Sequence, residues 1–206
     1  MKRLTKEDIR KKYDVYSKRY DLIEGIGEII FHKYRKKILN GVSGKVLEVG
    51  IGTGKSLKYY GKNCQITGVD FSSKMLERAK KRAKKLNLLV HLIKGDAENL
   101  HFKENSFDYV VDCFGLCTYP NPVKALKEMK RVLKKKGHIL LLEHGVSSNK
   151  TIKKLQTRNV ESHYMKAGCN LMRDYPDLVK KAGLDTLDCS RRFFGMVCVI
   201  VAEKEH

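Results

Sequence analysis

The chain has 206 residues, enough for one domain with a full core, with no apolar run long enough to span a bilayer. Its formal net charge is +20, and its six cysteines are scattered without a CxxC pair, which excludes a zinc ribbon or a dithiol redox motif. The lysines cluster in runs such as "KKRAKK" beside apolar periodic positions, so the charge reads as a solvated surface in preference to a nucleic-acid footprint, with peripheral contact to a membrane left open.

Residues 5–39 read as helical. Thr5 and Asp8 form an imperfect capping box, and Ile9, Tyr13, Tyr16, Tyr20 and Ile23 recur at helical spacing. This charged start lacks a signal-type apolar segment, and a cytoplasmic location with reduced thiols is the expectation. "KVLEVG" then reads as a buried strand, "SLKYYG" as a brief helix and "CQITGVD" as a second strand. Residues 73–86 read as a lysine-rich helix, "VHLIKGD" as a third strand and "SFDYVVDCF" as a fourth. "PVKALKEMKRVLKKKG" reads as a helix closed by Gly137, and "HILLLEH" as a fifth strand. Beyond residue 145 the pattern predicts a helix and loop, a helix in "DYPDLVKKAGL", and two strands joined around Arg191–Gly195. Alternation of strands and helices predicts a parallel sheet with right-handed crossovers. The expected organisation is a single domain: a helical cover over 1–39, a core over 40–145, and a substrate segment with a C-terminal hairpin over 146–206.

The stretch "VGIGTGKS" decides the functional reading. A Walker phosphate loop would need glycine where Val49 stands, and a dinucleotide fingerprint would need a small residue where Lys55 stands. What remains is Glu48, Gly50, Gly52 and Gly54 between a strand and a helix: a bare backbone surface beside an acid, suited to a ligand that carries a cation as well as an anion. Asp70 ends the second strand, where an acid can bind ribose hydroxyls or cap the next helix. Asp96 ends the third, where it can accept from an adenine amino group with Ala97 beside the ring. His144 ends the fifth strand at the same edge and can orient or deprotonate an acceptor. His163 lies in the tail, where substrate contacts are expected.

"LEVGIGTG", "GVDFSSKMLERAKK", "GDAENLHF", "SFDYVVDCFGL" and "EMKRVLKKKGHILLLEH" resemble, in this order, the motifs of class I S-adenosylmethionine-dependent methyltransferases over roughly residues 40–145. The resemblance implies an α/β, Rossmann-like sheet of seven strands, six parallel and the last antiparallel, with helices on both faces. It implies S-adenosyl-L-methionine as cofactor, with Glu48, Gly50, Gly52 and Gly54 around the methionine part and Asp70 on the ribose. It also implies Met75 near the adenosine, Asp96 and Ala97 at the adenine, and Cys113 near the sulfonium. No metal is implied.

Two subfamilies compete for the acceptor. "FDYVVDCFGL" and the N-terminal "YDVYSKRYD", with Tyr13 and Tyr20 on one helical face, resemble the quinone-biosynthesis C-methyltransferases. "LLLEHG" followed by "AGCNLMRD" resembles the alkyl-thiol methyltransferases, with Gly168-Cys169-Asn170 and Arg173-Asp174 as the matching residues. The expectation is a small apolar acceptor, a thiol ahead of a quinone precursor, with Tyr13, Tyr20, His163 and Cys169 as contacts. An RNA or protein acceptor and a non-catalytic cofactor-binding module are the further alternatives. The oligomeric state is not legible.

Overall fold

The computed structural model describes residues 4–17 and 25–205, with the side chains of 25–30 outside the description. Among the described residues two helices come first, α1 (Lys6–Tyr16) and α2 (Gly25–Leu39). The expected seven-residue pairing of Tyr13 with Tyr20 cannot be followed, because Tyr20 lies outside the described residues. The capping box at Thr5 is complete: Thr5 Oγ accepts the Asp8 N–H, and the Asp8 carboxylate accepts the Thr5 N–H at 2.9 Å.

The core alternates as predicted through β1 (Gly44–Val49), β2 (Cys64–Asp70), α3 (Ser73–Lys85), β3 (Val90–Lys94), β4 (Phe107–Cys113), α4 (Pro122–Val132) and β5 (Leu133–His144). It continues through α5 (Lys150–Ala167), α6 (Tyr175–Lys181), β6 (Leu184–Arg192) and β7 (Val197–Lys204). The seven strands lie in the order β3-β2-β1-β4-β5-β7-β6, and β7 runs antiparallel to both its neighbours.

Strand pleating divides the core into two layers. Leu47, Val49, Val110, Ile139 and Leu141 pack against Leu126 and Met129 of α4 and Val179 of α6. Val46, Val111, Leu140 and Leu142 point the other way, against Ile38 and Leu39 of α2. Helices thus cover both faces, and the central strands are apolar runs because neither face meets water.

Two expected boundaries are corrected. The helix expected to run to Gly137 stops at Val132, and "LKKKG" already belongs to β5. Leu133 is extended and fully buried, paired with Phe107, and a Cβ on Gly137 would lie 2.7 Å from the Asp108 carbonyl oxygen. The strand register, not helix capping, holds that glycine. "SLKYYG" forms only one 3₁₀ turn, Leu57–Tyr59, because Tyr60 turns extended and spends its hydroxyl on Glu48. One such turn has almost no macrodipole, so recognition of a negative group cannot rest on it.

Candidate active site

β1 pairs with β2 on one side and β4 on the other, so chain direction across the sheet reverses at β1, where α/β sheets open a crevice at their carboxyl edge. Two cavities lie there. The larger, about 460 Å³, is lined by Asp70, Phe71, Asp96, Ala97 and Thr118, with Ile9 and Arg10 of α1 on its outer wall. That volume falls in the usual range of small-molecule sites, about 300–1,000 Å³. The smaller is lined by Arg35, Glu48, Gly52, Ser56, Met75 and Cys113. Both touch Gly50, Asp70, Phe71, Thr118 and Tyr119, so they form one continuous cleft.

Gly50 and Gly52 of the glycine loop line the cleft, whereas Gly54, expected there as well, lines neither cavity and packs against Leu57. Gly50, Gly52 and Gly54 all have left-handed φ, +65°, +56° and +76°. A Cβ on Gly50 would lie 2.5 Å from the Tyr119 hydroxyl, whereas one on Gly52 would meet nothing nearer than a carbonyl oxygen at 3.9 Å. The first glycine is required by its packing, the second leaves bare backbone facing the cleft.

Glu48 is buried beneath this loop. Burial raises its carboxyl to about 7, against the hydroxyls of Ser56 and Tyr60 and the Arg35 guanidinium, which favour the charge. Arg35 is itself buried, with its guanidinium 4.9 Å from the centre of the Phe114 ring. Cys113 closes this end, its thiol pushed up chiefly by burial. Met75 is buried in the first turn of α3, and its N–H bonds the Ser72 cap at 3.1 Å.

Asp70 serves the loop before any ligand. One carboxylate oxygen accepts the Gly52 N–H and the other the Ser72 N–H, each at 2.9 Å. Burial raises its carboxyl to about 6 despite these bonds. Each oxygen keeps a lone pair for a further donor. Asp96 is engaged as well: it accepts the Glu98 N–H at 2.9 Å and pairs with Lys6 of α1 at 2.6 Å. Lys6 also pairs with Glu98 at 2.7 Å. Ser72 Oγ donates to Asp14 at 2.5 Å, so α1 is tied across the cleft at both ends. Tyr13 packs on Phe71 with ring centres 6.3 Å apart.

His144 is wedged between Phe114 and Phe31, ring centres 4.4 and 5.7 Å away. Burial, then Arg35 and His163, lower its pKa to about 4, so the imidazole is neutral at neutral pH. His163 hydrogen-bonds Cys169 and is raised by it. Cys169 is buried and held down to about 6 by hydrogen bonds from Cys117 and His163. The rest of "AGCNLMRD" supports the wall: Gly168 caps α5 at φ +71°, and Arg173 donates to the carbonyls of Leu116 (2.6 Å) and Tyr119 (2.5 Å).

The sequence reading missed three groups here. Arg35 and Lys6 reach the cleft from helices distant in sequence, and no local pattern marks them. The third, Asp112 with Glu143, had a signal: an acid inside each of the apolar runs "YVVDC" and "LLLEH". Both are fully buried. Asp112 accepts the Gly115 N–H and the Tyr119 hydroxyl, each at 2.7 Å, and Glu143 accepts the Leu116 N–H at 3.1 Å. Burial and the neighbouring Asp112 drive the Glu143 carboxyl far up, so it keeps its proton and donates it to Asp112. Among the described residues no group of three His, Cys, Asp or Glu side chains could hold a metal ion, and no helix is long and apolar enough to cross a membrane.

Residues 47–141 match the family described as "Methyltransferase domain". The demethylmenaquinone methyltransferase of Staphylococcus haemolyticus is 41% identical over 147 residues, 67% of this chain and 61% of that protein. The mitochondrial methyltransferase OMS1 of Saccharomyces cerevisiae is 31% identical over 215 residues, covering 95% of this chain and 45% of that protein. The chain thus spans less than two thirds of the length of these relatives. A crystal structure from Thermotoga maritima, described as a SAM-dependent methyltransferase and possible histamine N-methyltransferase, superposes with a TM-score of 0.73 at 24% identity over 96% of this chain and 100% of that one. At that identity it shows the fold. Motif order, strand order and these likenesses agree: the chain belongs to the class I S-adenosylmethionine-dependent methyltransferases, whose cofactor is S-adenosyl-L-methionine.

Proposed function

We propose that the protein transfers a methyl group from S-adenosyl-L-methionine to a small apolar acceptor, and that the acceptor is a quinone precursor methylated at ring carbon. The continuous cleft at the carboxyl edge, acid-lined and floored by bare glycine backbone, carries the first part. The cofactor supplies an electrophilic methyl on a sulfonium. Glu48 with the glycine loop receives the methionine ammonium, and Arg35, a buried cation in the same cavity, faces its carboxylate. Asp70 uses its remaining lone pairs on the ribose. Asp96 and Ala97 flank the adenine, which requires Lys6 to yield part of its ion pair. Met75 and Cys113 pack beside the adenosine and the sulfonium.

On the acceptor side, His144, Tyr13, His163 and Cys169 are the candidate contacts; of these Tyr13 lines the cleft, and the other three line neither of its two cavities. A neutral imidazole with a pKa near 4 is a weak base. His144 therefore orients an acidic O–H or S–H by accepting its hydrogen bond, and the acceptor's own acidity does the rest. The 41% likeness to a demethylmenaquinone methyltransferase supports the quinone reading. The thiol reading rests on residues 168–174, where Gly168 and Arg173 hold the cleft wall, a role useful for any acceptor. A methyl-transfer screen with labelled cofactor over prenylated hydroxyquinols, alkyl thiols, phospholipids and RNA tests both. Label in a quinol ring supports the proposal. Label only in thiols moves the reaction to sulfur, and label in neither but in RNA removes the small acceptor.

A further inference from the structure

Strands β6 and β7 meet in a turn whose residues are ill suited to turning. Phe193, Phe194 and Gly195 have φ of +51°, +55° and +81°. Left-handed turn positions favour Asn and Gly, and bulky side chains rarely adopt them. The two phenylalanines are also exposed, by 45% and 62%, with ring centres 6.0 Å apart. Neither packing nor turn chemistry accounts for them.

Their surroundings are basic. Arg191 and Arg192 precede them, both exposed. The tip is fixed in place: the Phe194 carbonyl accepts the Ser148 N–H at 2.7 Å and the Ser147 hydroxyl at 2.8 Å. Ser147 in turn donates its N–H to Gln156 in the second turn of α5 at 2.7 Å, which brings that helix against the tip. Tyr164 is the one residue of α5 that is fully buried. Its N-terminal half exposes Lys150, Lys153, Lys154 and Arg158, and Leu155 among them is 61% exposed. Acids are sparse: Asp174 stands 3.7 Å from Arg191, and Glu161 follows one turn further along α5.

We propose that the tip Phe193–Phe194 and the N-terminal half of α5 dock on an anionic lipid bilayer. Aromatic rings lie at headgroup depth, and the basic side chains around them meet anionic headgroups. The patch begins beside the candidate catalytic edge: His144 pairs with Val197, and the Gly145 N–H bonds the Met196 carbonyl at 2.9 Å. Docking there would bring the His144 end of β5 close to the membrane. The proposal does not depend on which acceptor is methylated, because the test reads binding alone.

The test is co-sedimentation of the full chain with vesicles of phosphatidylcholine and with vesicles containing about one third phosphatidylglycerol. Binding is expected on the anionic vesicles, weakening with salt. The paired substitution Phe193→Asn with Phe194→Gly relieves the turn, so its melting temperature should hold or rise while vesicle affinity falls at least roughly tenfold. Lys153→Glu with Lys154→Glu should reduce binding to anionic vesicles and leave calorimetric cofactor affinity unchanged. Wild type that ignores anionic vesicles, or a Phe193→Asn, Phe194→Gly variant that binds as well as wild type, overturns the proposal. So does basic-residue loss that weakens RNA binding while vesicle binding is absent.

Discussion

Asp70→Asn keeps the shape of the side chain and removes its charge, and it should move stability and cofactor affinity in opposite directions. In the folded protein the carboxyl titrates near 6 instead of its ordinary 3.8, chiefly because it is buried. A raised carboxyl pKa gives stability that is complete below the unfolded value and is lost as pH rises through the folded one. The gap is about two pH units, or roughly 3 kcal/mol at about 1.4 kcal/mol each. Asparagine resembles the protonated acid at every pH, so the difference between variant and wild type isolates this one titration. Relative to wild type, the variant should therefore gain up to roughly 3 kcal/mol between pH 4 and pH 7.5. Its absolute difference should be small at pH 4 and approach that gain at pH 7.5. Cofactor affinity at pH 7.5 should fall by about ten- to a hundredfold, the equivalent of one lost hydrogen bond to a charged group. Urea denaturation across this pH range and calorimetry with S-adenosylhomocysteine measure the two quantities. A stability difference that does not vary with pH would refute the titration argument. Unchanged affinity would refute the ribose role.

Gly50→Ala forces a Cβ to 2.5 Å from a Tyr119 hydroxyl held by Asp112; the strained φ costs about 1–2 kcal/mol and the displaced buried bond about as much again, so the denaturation midpoint should drop sharply. His144→Ala should lower turnover at least tenfold in the methyl-transfer assay while cofactor affinity stays within about twofold. Lys6→Ala removes a half-exposed ion pair, so stability should change by less than about 1 kcal/mol, yet stopped-flow release of S-adenosylhomocysteine should quicken because α1 loses its tie to Asp96 and Glu98.

Most of the sheet was readable because its signals are local. "KVLEVG" and "HILLLEH" are apolar on both faces, and Gly50 and Gly54 stand where the chain needs left-handed φ. The start of β5 was not readable: "LKKKG" continues a helical lysine pattern, and only its pairing with Phe107 across the sheet makes it a strand. The same limit applies within the cleft. Glu48, Asp70 and Asp96 announce themselves by lying at or within two residues of strand ends, but Arg35 and Lys6 arrive by tertiary packing. That Asp96 holds Lys6, and that Asp70 closes its own glycine loop, are facts of distance that no spacing encodes.

The antiparallel strand β7 lies between β5 and β6, although it is made after both. During synthesis the sheet therefore waits for its penultimate slot to be filled by residues 197–204, made after both neighbouring strands. Until then the edge of β5, with Ile139, Leu140, Leu141 and Leu142, presents unpaired amides and carbonyls beside apolar side chains. Such an edge is a template for pairing with another nascent chain. A ribosome-stalled intermediate ending before residue 197 should depend on a holding chaperone, and release from it should coincide with emergence of β7.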